Sequence, residues 1–169
     1  MLTSARIDAL IAAYAEGTRL LETALAGISG EELRFTPGPE HWSIHENIIH
    51  LADTELVYAA RLRYLLAEPA KIPESFAGFR WSRALDYRSQ SLEGALTFFG
   101  AIRAATTAFL KTLPPGAWDK VGLHWDQQDA EPALRTLTAA QAVELFADHV
   151  HYHLRTIAKR RAQFAQARK

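Results

Sequence analysis

The chain has 169 residues, 49% of them hydrophobic and 22% charged, which suits one soluble domain with a full-sized core. Its formal net charge is zero with histidine neutral, so composition gives no electrostatic case for nucleic acid or an anionic membrane. There is no cysteine, which excludes disulfides, thiolate metal ligands and a cysteine nucleophile.

The N-terminus is amphipathic around Arg6 and Asp8, so no signal peptide is expected, and no apolar run approaches a membrane-spanning length. A cytoplasmic location follows as the expectation. The spacing of Ile7, Leu10, Ile11, Tyr14, Leu21 and Leu25 predicts a first helix from about Thr3 to Gly27. Ser29 and Glu32 have capping-box spacing over a short turn from Ser29 to Phe35, and Thr36-Pro37-Gly38-Pro39 then breaks the chain. Ser43 and Glu46 form a second capping box at the start of a long helix from Ile44 to about Ala67, stopped by Pro69 and Pro73. His50 lies in its second turn, and Glu46, Asp53, Val57 and Arg61 share its face.

Lys71 to Trp81 reads as a loop, and a third helix is expected from about Ser82 to Leu113, ended by Pro114-Pro115-Gly116. Ala117 to Leu137 is the least helical stretch, a long loop or a small hairpin, and a loop of that length in a compact domain is often functional. Thr138 with Gln141 supplies a third capping box, and a fourth long helix runs to about Gln166. Four long helices with broken connections predict an all-α fold, a four-helix bundle formed as a single domain over residues 1–169.

The last helix carries Asp148-His149-Val150-His151-Tyr152-His153. His149 and His153 are four apart and share a face, whereas His151 points nearly the opposite way. Two stacked imidazoles hold a metal weakly, and a third from another helix would complete a facial triangle with positions left open. His50 is the best candidate for that third ligand. Neutral imidazoles suit zinc, nickel or iron, and equally cobalt or copper. Glu46, Asp53, Asp148 and Tyr152 are the partners expected to orient the imidazole N–H groups, and His124 is a candidate for the pocket mouth. His41, His45 and His151 read as surface or core-edge residues.

Other motifs fail on spacing. His45-Glu46 with His50 is one residue too long for a zincin and leaves its two histidines roughly 140° apart on the helix. No Glu-x-x-His occurs, which rules out a ferritin-like di-iron site, and both the nucleophile elbow and the phosphate-binding glycine loop are absent.

Trp42-Ser43-Ile44-x-Glu46-x-Ile48-Ile49-x-x-Ala52-Asp53, with His50 inside it, resembles the second-helix signature of the DinB/YfiT-like superfamily. His149-x-x-x-His153, followed by Leu154-Arg155-x-Ile157, is similar to that family's closing motif, and Gly122-Leu123-His124 to its loop before the last helix. The resemblance spans nearly the whole chain. It implies an up-down-down-up helix arrangement and a divalent metal on His50, His149 and His153. It further implies a homodimer and, among members of known activity, metal-dependent thiol transfer or thiol-dependent isomerisation with low-molecular-weight thiols. Thr156 departs from the pattern, since many members carry a longer glutamine near that position, so no substrate contact is carried over there.

Two functional classes follow. One is a metal-dependent enzyme, a thiol S-transferase or hydrolase-like protein acting on a small molecule, without nucleic acid or membrane as partner. The other is a non-catalytic, stress-associated binding or structural bundle with a structural or vestigial metal site. A fourth protein ligand such as Asp53 or Glu46 would mark the second, and an open coordination position the first.

Overall fold

All four long helices start on a hydroxyl side chain that accepts a backbone N–H otherwise left without a partner. In the computed structural model, which describes residues 2–126 and 133–168, Thr3 caps α1 (Ser4–Leu25) and Ser43 caps α3 (Ile44–Ala67). Ser91 caps α5 (Leu92–Lys111) and Thr138 caps α6 (Ala139–Ala167). The caps of α3 and α6 are full capping boxes, closed by Glu46 and Gln141. Two short helices, α2 (Gly30–Arg34) and α4 (Gly78–Ala84), lie in the connections.

The expected single helix from Ser82 to Leu113 is in fact two helices. α4 begins earlier, inside the stretch read as a loop, and the chain turns between Ala84 and Leu92. Asp86 takes a left-handed backbone there (φ 42°), and Ser91 Oγ restarts the helix by accepting from Gly94 N at 3.0 Å. An aspartate tolerates that conformation better than most residues. Leu85, which a continuous helix would place at an apolar position, is accordingly exposed, while Tyr87 is fully buried.

Between α5 and α6 the chain forms a one-turn 3₁₀ helix (Pro115–Asp119) and then a hairpin of β1 (Val121–Asp126) and β2 (Ala133–Thr138). The strands are antiparallel, pairing Val121 with Thr138 and His124 with Arg135. The hairpin is the second of the two forms the sequence allowed. Trp125 Nε1 donates to the Pro73 carbonyl at 2.6 Å and ties β1 to the segment after α3.

Named contacts fix the helix directions. Arg6 pairs with Glu144, and Arg161 reaches the carbonyl of Ala24, so α1 and α6 run parallel. His45 bonds the Gln90 carbonyl, and the Arg63 guanidinium lies over the Phe109 ring, so α3 and α5 run parallel. Asn47 of α3 meets His153 of α6, while Tyr58 stacks on Phe146, so those two helices are antiparallel. The order is up-down-down-up. α1 and α3 each pack on both α5 and α6, which sets α1 and α3 diagonally across the bundle.

The apolar core falls into two clusters along the axis. One gathers Leu10, Tyr14, Leu62, Leu65, Trp118, Val143 and Phe146, and the other Leu21, Ile44, Ile48, Leu51, Phe99, Val150 and Ile157. Buried polar side chains gather around their junction. Tyr14 donates to Glu55, and Arg103 Nη1 pairs with Glu55 at 2.7 Å while its Nε donates to the Tyr14 carbonyl at 2.6 Å. Gly17 makes room for this arginine, because a Cβ there would lie 2.7 Å from the guanidinium carbon.

Candidate metal centre

Helical spacing brings His149 and His153 together, and their Nε2 atoms lie 3.2 Å apart. His50 approaches from α3, its ring centroid 4.9 Å from that of His153 and 5.5 Å from that of His149. One nitrogen from each of the three rings lies within 4.8 Å of the other two, and among the described residues this is the cluster of His, Asp or Glu that could hold a metal ion. Three imidazoles bound to one cation at about 2.0–2.1 Å place their nitrogens about 3.0–3.4 Å apart. The α6 pair already has that separation, and a small inward shift of His50 completes it. His151 is exposed on the opposite face of α6.

Hydrogen bonds set the tautomers. Asn47 Nδ2 donates to the Ser43 carbonyl at 2.7 Å, which turns its Oδ1 towards His153 Nδ1 at 2.8 Å. The His153 proton therefore sits on Nδ1, and Nε2 presents its lone pair beside His149. Thr54 donates its single hydroxyl proton to the His50 carbonyl at 2.7 Å, so towards His50 Nε2, at 3.3 Å, it can only accept. That leaves His50 Nδ1 as a buried lone pair with no hydrogen-bond partner. An orphaned buried acceptor on a ring of this cluster suits a cation.

Burial is the main reason all three rings stay unprotonated. It pulls His50 down to about 3, with the His149 charge adding to the effect. It pulls His149 down to about 4, with the Arg103 cation adding. His153 lies far below the usual imidazole range through burial and then the neighbouring His149 and His50. Neutral imidazole is the ligating form.

Aromatic walls surround His50. Trp42 lies 4.6 Å from its ring and Phe76 stacks on it at 5.7 Å. The Gly78 backbone closes the same side so tightly that an added Cβ would sit 2.7 Å from His50 Cε1 and 2.9 Å from Nδ1. Gly78→Ala should therefore displace the His50 ring and cost roughly 1–3 kcal/mol of overpacking. Thermal unfolding and the imidazole NMR signals of His50 would both report the change, and unaltered signals would refute the tight contact.

The partners expected to orient the imidazoles have other roles. Glu46 is held by Ser43 N and Oγ at 2.9 and 2.8 Å and by Arg88 Nε at 3.0 Å, so it caps α3. Asp53 accepts the Tyr87 hydroxyl at 2.5 Å, and partial burial raises its carboxyl above the ordinary range. Asp148 is exposed. Tyr152 is exposed too, its ring edge-to-face with that of His153 at 5.1 Å between centroids. His124 is buried rather than placed at a pocket mouth, 6.3 Å from the Tyr58 ring, which itself lies 5.3 Å from His149. His45, read as a core-edge residue, is buried on the Gln90 carbonyl. Arg61 and Arg160 both hold backbone carbonyls, those of Glu74 and Trp42.

Asn47 and Thr54 do the orienting, and the residue reading missed both. The available signal was the spacing, since they stand three residues before and four after His50 on a stretch whose only other polar residue is Asp53.

The chain is similar to known proteins over most of its length. The DinB superfamily profile matches residues 13–157. A protein of Oceanobacillus iheyensis, named as a proposed metal-dependent hydrolase, is 21% identical over 80% of this chain and 74% of its own length. YfiT of Bacillus subtilis carries the same description and is 23% identical over 67% of this chain and 60% of its own. The solved structure of YfiT, reported as a probable metal-dependent hydrolase with an unusual four-helix bundle topology, superposes with a TM-score of 0.83. That match covers 98% of this chain and 91% of YfiT at 20% identity, and it establishes the fold. No helix among the described residues is long and apolar enough to cross a membrane.

Proposed function

The chain belongs to the DinB superfamily, and on that premise we propose that it is a metal-dependent enzyme whose divalent cation is held by His50, His149 and His153. The observation that carries this reading is the convergence of three imidazole nitrogens from two helices, a cluster that no carboxylate joins among the described residues. Glu46 and Asp53, the groups able to close a fourth position, are held by Ser43, Arg88 and Tyr87 instead. A site with three protein ligands favours catalysis over a purely structural role. A cation bound there supplies Lewis acidity and lowers the pKa of a coordinated water or thiol.

The protein's own residues do the rest. Asn47 keeps the His153 proton on Nδ1, and burial keeps all three rings neutral. Phe76 and Trp42 shield His50 from solvent on the side where Gly78 packs. We read the reaction as transfer of a low-molecular-weight thiol to a small electrophile, carried out by a homodimer. The names of the relatives support water as the competing nucleophile.

Metal analysis after mild chelation tests the site, and about one ion per chain is expected. Cobalt-loaded protein titrated with a small thiol should then gain a thiolate-to-metal absorption band. No band, together with ester or amide hydrolysis, would move the reading to a hydrolase. A chain that retains no metal sinks both. Asn47→Leu should weaken metal binding about 10–100-fold while leaving the helical circular dichroism unchanged, because it removes the partner that fixes His153. Undiminished affinity would show that the Asn47 contact is incidental.

A further inference from the structure

A second recess shares Trp42 with the histidine cluster. It is a cleft of about 240 Å³ with Trp42 and Phe79 in its wall and Glu40, Arg83, Asp86 and Arg88 among its lining residues. The two aromatic rings lie 4.4 Å apart and 33° from parallel, which makes a nearly continuous apolar surface. Charges of both signs stand around it. Arg88 gives its Nε to Glu46 and keeps its terminal amines as donors. Arg83 and Glu40 face each other at 3.8 Å, with side chains 79% and 81% exposed, a pairing weak enough for a ligand to replace. No ion pair or hydrogen bond engages the Asp86 carboxylate among the described residues.

A cleft lined by one sign of charge selects an ion. This one sets carboxylate, guanidinium and aromatic groups side by side, which matches a molecule bearing all three complements. We propose that the cleft binds a free amino acid with an apolar side chain. The ammonium meets Asp86, the carboxylate meets the Arg83 guanidinium in place of Glu40, and the side chain lies on Trp42 and Phe79. The recess falls below the about 300–1,000 Å³ of pockets that take drug-sized ligands, which restricts it to a smaller molecule.

Calorimetric titration with three probes tests the assignment. L-Leucine carries both charges, isoamylamine only the cation, and 4-methylpentanoate only the anion. Leucine should bind about tenfold tighter than either half-molecule. Asp86→Asn, which keeps a residue that tolerates the left-handed backbone, should weaken leucine and isoamylamine about tenfold and leave 4-methylpentanoate unchanged. Arg83→Gln should do the reverse, weakening leucine and 4-methylpentanoate but not isoamylamine. Leucine that binds no tighter than both halves, or variants that affect all three probes alike, would overturn the proposal. Neither Asp86 nor Arg83 touches the three histidines, so metal stoichiometry measured alongside separates the two readings. A chain that takes up metal but not leucine fails this inference alone.

Discussion

His153→Ala should abolish stable metal binding, and His151→Ala should leave it intact. The two positions are two residues apart, about half a helical turn, and so point in nearly opposite directions. His153 is buried 4.6 Å from the ring of His149, whereas His151 faces solvent. Structural zinc sites with four ligands bind with about 10–16 kcal/mol, so one ligand accounts for roughly a hundred- to a thousandfold in affinity. The alanine variant also leaves the Asn47 carbonyl oxygen buried without its partner, so it loses some stability even without metal. The decisive measurement is therefore a difference, the rise in melting temperature on adding excess zinc. Wild type and His151→Ala should both rise, and His153→Ala should not, because a ligand stabilises only the fold that binds it. An equal zinc-induced rise in all three proteins would remove the triad from the metal.

Some of this arrangement can be read from residue order alone. Ser43 with Glu46, and Thr138 with Gln141, announce the starts of α3 and α6, because a hydroxyl and an acid or amide three residues on satisfy each other's backbone donors. Once those starts are fixed, the His149 and His153 pair is legible from the helical period. His50 is harder, because its partners are about a hundred residues away and only the bundle's packing brings them near. The break between α4 and α5 was hidden because Leu85, Leu92 and Leu96 keep helical spacing across it. What overrides that spacing is tertiary, a buried Tyr87 hydroxyl held by Asp53. The choice of Asn47 over Glu46 as the group orienting an imidazole has the same origin. Both follow Ser43 closely, but the cap and Arg88 occupy the glutamate, while the amide is free to face α6.

Glu55→Ala should cost roughly 3–5 kcal/mol, seen as a fall in melting temperature of roughly 6–20 °C for a chain of this size. The alanine leaves Arg103, 1% exposed, as a buried cation that no longer faces a carboxylate, and the Tyr14 hydroxyl without its acceptor. The size of that loss does not mean that the ion pair holds the bundle together. Burial raises the Glu55 carboxyl above its usual range, against the opposing pull of Arg103 and the Tyr14 hydroxyl, so removal from water outweighs the attraction. A triple variant, Glu55→Leu with Arg103→Met and Tyr14→Phe, removes the charges and the hydroxyl together and should recover most of the stability lost by Glu55→Ala. Arg103 also helps to keep His149 unprotonated, which gives the cation a use that stability alone does not require. A triple variant that unfolds as early as Glu55→Ala would instead show that the charges themselves stabilise the waist of the bundle.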